Sequence, residues 1–131
     1  MNNTLIAIFE ILIAVGLIGF WIYFFLIENK NPEKSDVYFG FERSFPIPDL
    51  GWATPSLIIA AIGLLLEQRF GIFFTITSGS ALLFLGLLDI SFNARNGGYT
   101  TNIGDTIMNI FINLVCVIFG PLFMIFAWGL F

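Results

Sequence analysis

The sequence predicts an all-α protein, a membrane-embedded four-helix bundle with a long first loop, and three observations lead there. Hydrophobic residues fill 58% of the 131 positions and charged residues only 11%, whereas about one quarter of an average soluble chain is charged. A soluble fold of this length has too high a surface-to-volume ratio to hide so much apolar surface. The apolar residues are also gathered into four runs near the roughly 20 residues that a membrane-crossing helix needs, separated by polar, Pro- and Gly-containing connectors. Together these imply one transmembrane domain covering residues 1–131.

The first helix is expected over residues 5–27, interrupted only by Glu10. It lacks a basic leader and is longer than the apolar core of a signal peptide, about 7–15 residues, so it reads as a retained helix. Polar and helix-breaking residues, Glu28-Asn29-Lys30-Asn31-Pro32, stop it. The second helix is expected over 49–66, with Asp49 as N-cap and Pro55 tolerated in an early turn. A tight turn, Glu67 to Gly71, leads to the third over 72–90. The fourth is expected over 105–131, its start favoured by the Asp105 carboxylate and its regular course kinked or ended by Pro121.

Four spans place both termini on one side and loops one (Glu28 to Pro48) and three (Ser91 to Gly104) on the other. Lys30, Lys34, Arg43 and Arg95 lie on the loop side, and Arg69 lies opposite. The positive-inside rule then places loops one and three in the cytoplasm and the termini outside, in a cell membrane. Trp21, Tyr23, Trp52 and Trp128 fall near helix ends, where aromatic side chains favour the headgroup level.

Composition narrows the chemistry. A net charge of −4 with five cations supplies no basic patch, so nucleic acid is not an expected partner. Histidine is absent, which removes the commonest general base and metal ligand, and the single Cys116 forms no internal disulfide. There is no zinc-ligand spacing and no Gly-x-Ser-x-Gly elbow. No enzyme, cofactor or bound metal is therefore expected.

Polar residues inside apolar helices are the informative ones, because hydrocarbon makes them costly unless they face other helices or water. Asp105, Asn109 and Asn113 recur at four-residue spacing and share a face; Cys116 and Gly120 extend it. The third helix carries Thr75, Ser78, Gly79, Gly86, Asp89 and Asn93, and the second Ser56, Ala60 and Gly63. One reading is packing, with small residues allowing close approach and amides bonding across the seam. The other is a polar funnel open on the loop-one/three side, with Glu42, Asp49, Asp89, Asn93 and Asp105 at its mouth and Asn109 and Asn113 deeper. Loop one, with Phe41, Phe45, Pro46 and Pro48, reads as a lid or a solvated connector, and Arg43 as a partner for Asp89 or Asp105. Glu10 is expected to be shallow, snorkelling and paired with Arg69, or else to be the coupling acid of a transport path.

Two resemblances attach to these residues. The pattern Phe45-Pro46-x-Pro48-Asp49, Gly79-Ser80, Phe84-Leu85-Gly86-x-x-Asp89 and Phe92-Asn93-x-x-Asn96-Gly97-x-Tyr99-Thr100 resembles a family of small four-helix prokaryotic membrane proteins, which implies a fold and transfers no activity. Four short spans with an acid in the first are similar to the small multidrug resistance family, with Glu10 in the acid's place. The long first loop departs from that family's pattern.

Three functions follow as expectations. The favoured one is a non-enzymatic binding or accessory protein, with the bilayer, a lipid or lipophilic ligand, and a membrane-protein partner or second copy as its partners. The others are a small oligomeric transporter using an intramembrane carboxylate, and a membrane enzyme holding a metal on Asp49, Asp89 and Asp105.

Overall fold

The computed structural model describes residues 1–100 and 102–131, and among these it is helical with no strand. Contacts divide the chain into two compact units, Met1–Phe74 and Thr75–Phe131.

In the first unit, α1 spans Asn3–Leu26, its start capped by the Asn2 side chain, which accepts from the Leu5 amide at 2.8 Å. Its inward face recurs at three- and four-residue spacing: Ile6, Ala7, Glu10, Ala14, Trp21 and Phe24 are buried. Ile8, Leu12, Val15 and Ile22 are exposed on the other side, as befits a helix apolar all round. The first loop is not a bare connector. It holds a 3-10 turn at Glu28–Lys30, a two-turn helix α2 at Asp36–Glu42 capped by Ser35, and a short helical piece α3 at Pro46–Pro48. Arg43 is engaged within this loop, donating to Asn29 Oδ1 at 2.8 Å and lying 4.6 Å over the Phe39 ring.

A π-turn at Asp49–Ala53 then joins α3 to α4, Thr54–Leu65. The expected N-cap role of Asp49 is corrected: its backbone is already helical, because Pro46 and Pro48 start the helix earlier. A proline fits a first turn, where its missing N–H has no partner to lose. α1 and α4 run antiparallel, as two bonds show. Asn3 Nδ2 donates to the Leu64 carbonyl at 3.3 Å, and Trp21 Nε1 donates to Asp49 Oδ2 at 2.8 Å. Trp21 is turned inward and is only 2% exposed. A buried indole N–H needs an acceptor, and Asp49 supplies it.

The turn after α4 matches the tight connection expected. Glu67 takes a left-handed φ of 54°, while Gln68 donates to the Gly63 carbonyl and Glu67 to that of Leu64, the pairing that satisfies orphan carbonyls at a helix end. A Cβ on Gly63 would land on the Gly71 backbone, so the turn requires glycine at both positions.

Helix α5 runs Arg69–Asn96 and α6 runs Ile103–Trp128. In the second unit, α5 from Thr75 onward and α6 meet along a seam of small residues. A Cβ on Gly79 would lie 2.6 Å from the Gly120 carbonyl oxygen, and one on Gly86 would lie 2.6 Å from Cys116 Cβ. Asn113, Cys116, Gly120, Phe123 and Ala127 form the buried stripe of α6. Pro121 does not end the helix, which continues to Trp128. In all, four helical stretches, Asn3–Lys30, Asp36–Leu65, Arg69–Asn96 and Ile103–Trp128, are long and apolar enough to cross a membrane, which is consistent with a multi-pass membrane protein.

Candidate functional site

The polar residues of the second unit are joined by hydrogen bonds at the loop end of its seam. Asp89 on α5 is half-buried. Its Oδ2 accepts from Asn93 Nδ2, one helical turn further along, and from Asn113 Nδ2 on α6, at 3.1 and 2.5 Å. Both amides thus serve one oxygen, and Oδ1 meets no donor among the described residues. Asn93 and Asn113 are 5% and 4% exposed.

The connection between α5 and α6 folds back onto this cluster. Gly97 takes a left-handed φ of 74°, a conformation that costs glycine little, and the Gly98 amide donates to the Asn93 carbonyl at 2.9 Å. A side chain on Gly98 would collide with that of Asn93. The Gly98 carbonyl accepts from Asn109 Nδ2 at 2.7 Å, and the Tyr99 hydroxyl donates to Asn113 Oδ1. Burial, and secondarily the nearby Asp89 carboxylate, push the Tyr99 phenol above its usual range, against a weaker lowering contribution from Asn93. Tyr99 therefore stays a donor through neutral pH. Each Asn presents an oxygen and an NH2 group, and Asn113 uses both ends, receiving from Tyr99 and giving to Asp89.

Asp89, Asn93 and Asn113 are thus brought together directly, and Asn109 joins them through the Gly98 carbonyl. Asp105 sits in the first turn of α6, where it and the N-cap Asn102 bond reciprocally: Asn102 Oδ1 accepts from the Asp105 amide, and Asn102 Nδ2 donates to Asp105 Oδ2. Tyr99 and Gly98 belong to the cluster as fully as the residues expected. The Asn96-Gly97-Gly98 turn, and for Tyr99 its place in the pattern quoted above, were their signals in the sequence, and neither says what the return of the chain covers.

The remaining candidates lie in the first unit. Glu42 closes α2 and is half-buried, and Asp49 is 6% exposed, held to Trp21. Glu10 is 0% exposed, on the face of α1 that meets α4, which replaces the snorkelling position expected of it. Arg69, its expected partner, is exposed at the start of α5. Among the described residues, no three His, Cys, Asp or Glu side chains gather as a metal-binding group.

Comparison with protein-family models, with curated proteins and with solved structures finds no match for this chain.

Proposed function

We propose that the chain is a non-enzymatic, multi-pass membrane protein that binds a lipid or lipophilic molecule through a hydrogen-bond-donating polar group, at Asp89. One observation carries this reading: two amides occupy Oδ2 of Asp89, while Oδ1 of the same half-buried carboxylate has no donor among the described residues. A polar group held inside a membrane helix is a functional candidate by default, and here the carboxylate is oriented from two sides. Depth supports a ligand of lipid type. The 28 residues of α5 extend roughly 42 Å at about 1.5 Å each, against roughly 30 Å of hydrocarbon. Asp89 lies about 10 Å from the Asn96 end on the same rise per residue, which places it just beneath the headgroups when the helix is centred. The Gly97–Tyr99 return would then cover a bound group from the aqueous side.

The test is native mass spectrometry of the protein taken from its membrane in mild detergent, with lipid extraction of the same sample. The expected result is a retained lipid or lipophilic species in the wild type that is lost in Asp89→Asn, with unchanged helicity in the variant. Equal retention by both, or none by either, sinks the reading.

A transporter reading keeps one observation of its own, the complete burial of Glu10 in the first helix. Coupled transport through that acid would be abolished by Glu10→Gln in liposomes, and unchanged flux in the variant would dismiss it.

A further inference from the structure

Asp89 receives hydrogen bonds from its neighbours and gives none. Asn93 and Asn113 both turn NH2 groups towards it. For Asn113 this orientation is set from the far end, where its Oδ1 accepts from the Tyr99 hydroxyl, so the NH2 end is what remains for Asp89. That arrangement suits an ionised carboxylate, which can only accept.

The charge itself is not answered. Among the described residues no cation meets Asp89. Arg95, the one Lys or Arg between Thr75 and Phe131, is exposed. Asp105, in the first turn of α6, is a further acid on the loop side of the seam. A half-buried carboxylate held by neutral amides alone is costly compared with one that also meets a positive charge.

We propose, resting on the reading of Asp89 as the site for a lipophilic molecule, that the polar group it takes is a primary ammonium carried on an apolar tail. Four alternatives fit less well. A hydroxyl would satisfy Oδ1 and leave the charge unbalanced. A guanidinium grips a carboxylate through both oxygens, whereas Oδ2 is already filled by two amides. A trimethylammonium has no N–H to give. A bare metal ion wants several oxygen ligands, and among the described residues no group of three His, Cys, Asp or Glu gathers to hold one. An ammonium is a compact point charge whose donors turn freely, so it can approach Oδ1 alone.

The experiment titrates the full chain in phosphatidylcholine nanodiscs with dodecylamine, dodecanol and dodecyltrimethylammonium at neutral pH, where dodecylamine is protonated. Empty nanodiscs supply the correction for partitioning. Dodecylamine should bind saturably and about tenfold more tightly than either other amphiphile, in line with the stronger hydrogen bonds that charged groups make. Asp89→Asn, which keeps the shape and removes the charge, should abolish that preference. A second arm adds phosphatidylethanolamine to the nanodiscs. Displacement of dodecylamine there assigns the ammonium to a lipid headgroup, and undiminished dodecylamine binding assigns it to a free amphiphilic amine. Equal binding of dodecylamine and dodecanol, both lost in Asp89→Asn, overturns the ammonium and leaves the lipophile site standing. An amine preference that survives in Asp89→Asn, or no saturable binding of any of the three, overturns both. Should Asp89→Asn fail to fold, the ranking of the three amphiphiles on the wild type decides.

Discussion

Gly120→Ala is the sharpest probe of how α5 and α6 are held together. The added Cβ would stand 2.7 Å from the Gly79 carbonyl oxygen and 2.9 Å from the Leu83 amide nitrogen. Both are backbone atoms, so no side chain can swing aside. Ordinary contact begins near 3.4 Å, and closing the difference of 3.4 − 2.7 = 0.7 Å requires the helices to part or slide. Overpacking of this kind costs typically about 1–3 kcal/mol. The intrinsic helix preference for alanine works the other way, by roughly 0.5–1 kcal/mol. The control is Gly19→Ala on α1, where the new Cβ meets nothing within 4 Å and only the helix preference acts. Reversible unfolding in mixed detergent micelles should rank Gly19→Ala at or above wild type and Gly120→Ala clearly below it. Equal stability of the two variants would refute the claim that backbone contact at Gly79 and Gly120 sets the seam.

Other outcomes follow from single contacts. Trp21→Phe removes the donor to buried Asp49 and should destabilise the first hairpin by about 1–3 kcal/mol. In a double-mutant cycle with Asp49→Ala the two changes should be non-additive, and additivity would show that the bond contributes nothing. Tyr99 titrates above its ordinary value of about 10, so the folded state favours the neutral phenol. Its contribution is present below pH about 10 and is lost as pH rises through the raised value. Alkaline unfolding should therefore show a loss of stability in wild type that Tyr99→Phe lacks, and superimposable curves would contradict the hydroxyl's role as a donor.

Much of the fold was legible because each helix is a long, nearly unbroken apolar run bounded by polar, Pro- or Gly-containing residues. The four apolar runs fall in helices, the third of which runs on to Asn96, past its expected end at residue 90, and helical spacing alone put Asp105, Asn109 and Asn113 on one face of the fourth. Other features depend on tertiary partners that spacing does not encode. Trp21 has the composition of an interfacial anchor, and only the arrival of Asp49 from the next helix makes it an inward residue. Tyr99 sits in a connector, where periodicity carries no information, and glycines on either side of the return decide where its hydroxyl goes. Glu10 looked shallow by its distance from the chain start, whereas the face it shares with Ile6, Ala7 and Ala14 buries it completely. The helical pieces of loop one escaped because α2 is only 7 residues long, too short for its pattern to stand out.

The way Asp89 is satisfied bears on how the protein is made. Its two hydrogen-bond donors come from either side of a turn: Asn93 lies before the turn and Asn113 after it. If α5 enters lipid, alone it would carry an acid, costly even near the headgroups, with one amide to offset it. Once α6 has emerged, the second amide is at hand. In a bilayer, integration of the two segments as a pair would then be favoured over integration one by one, and a chain cut after Asn96 should partition into it less well than one that extends through Trp128.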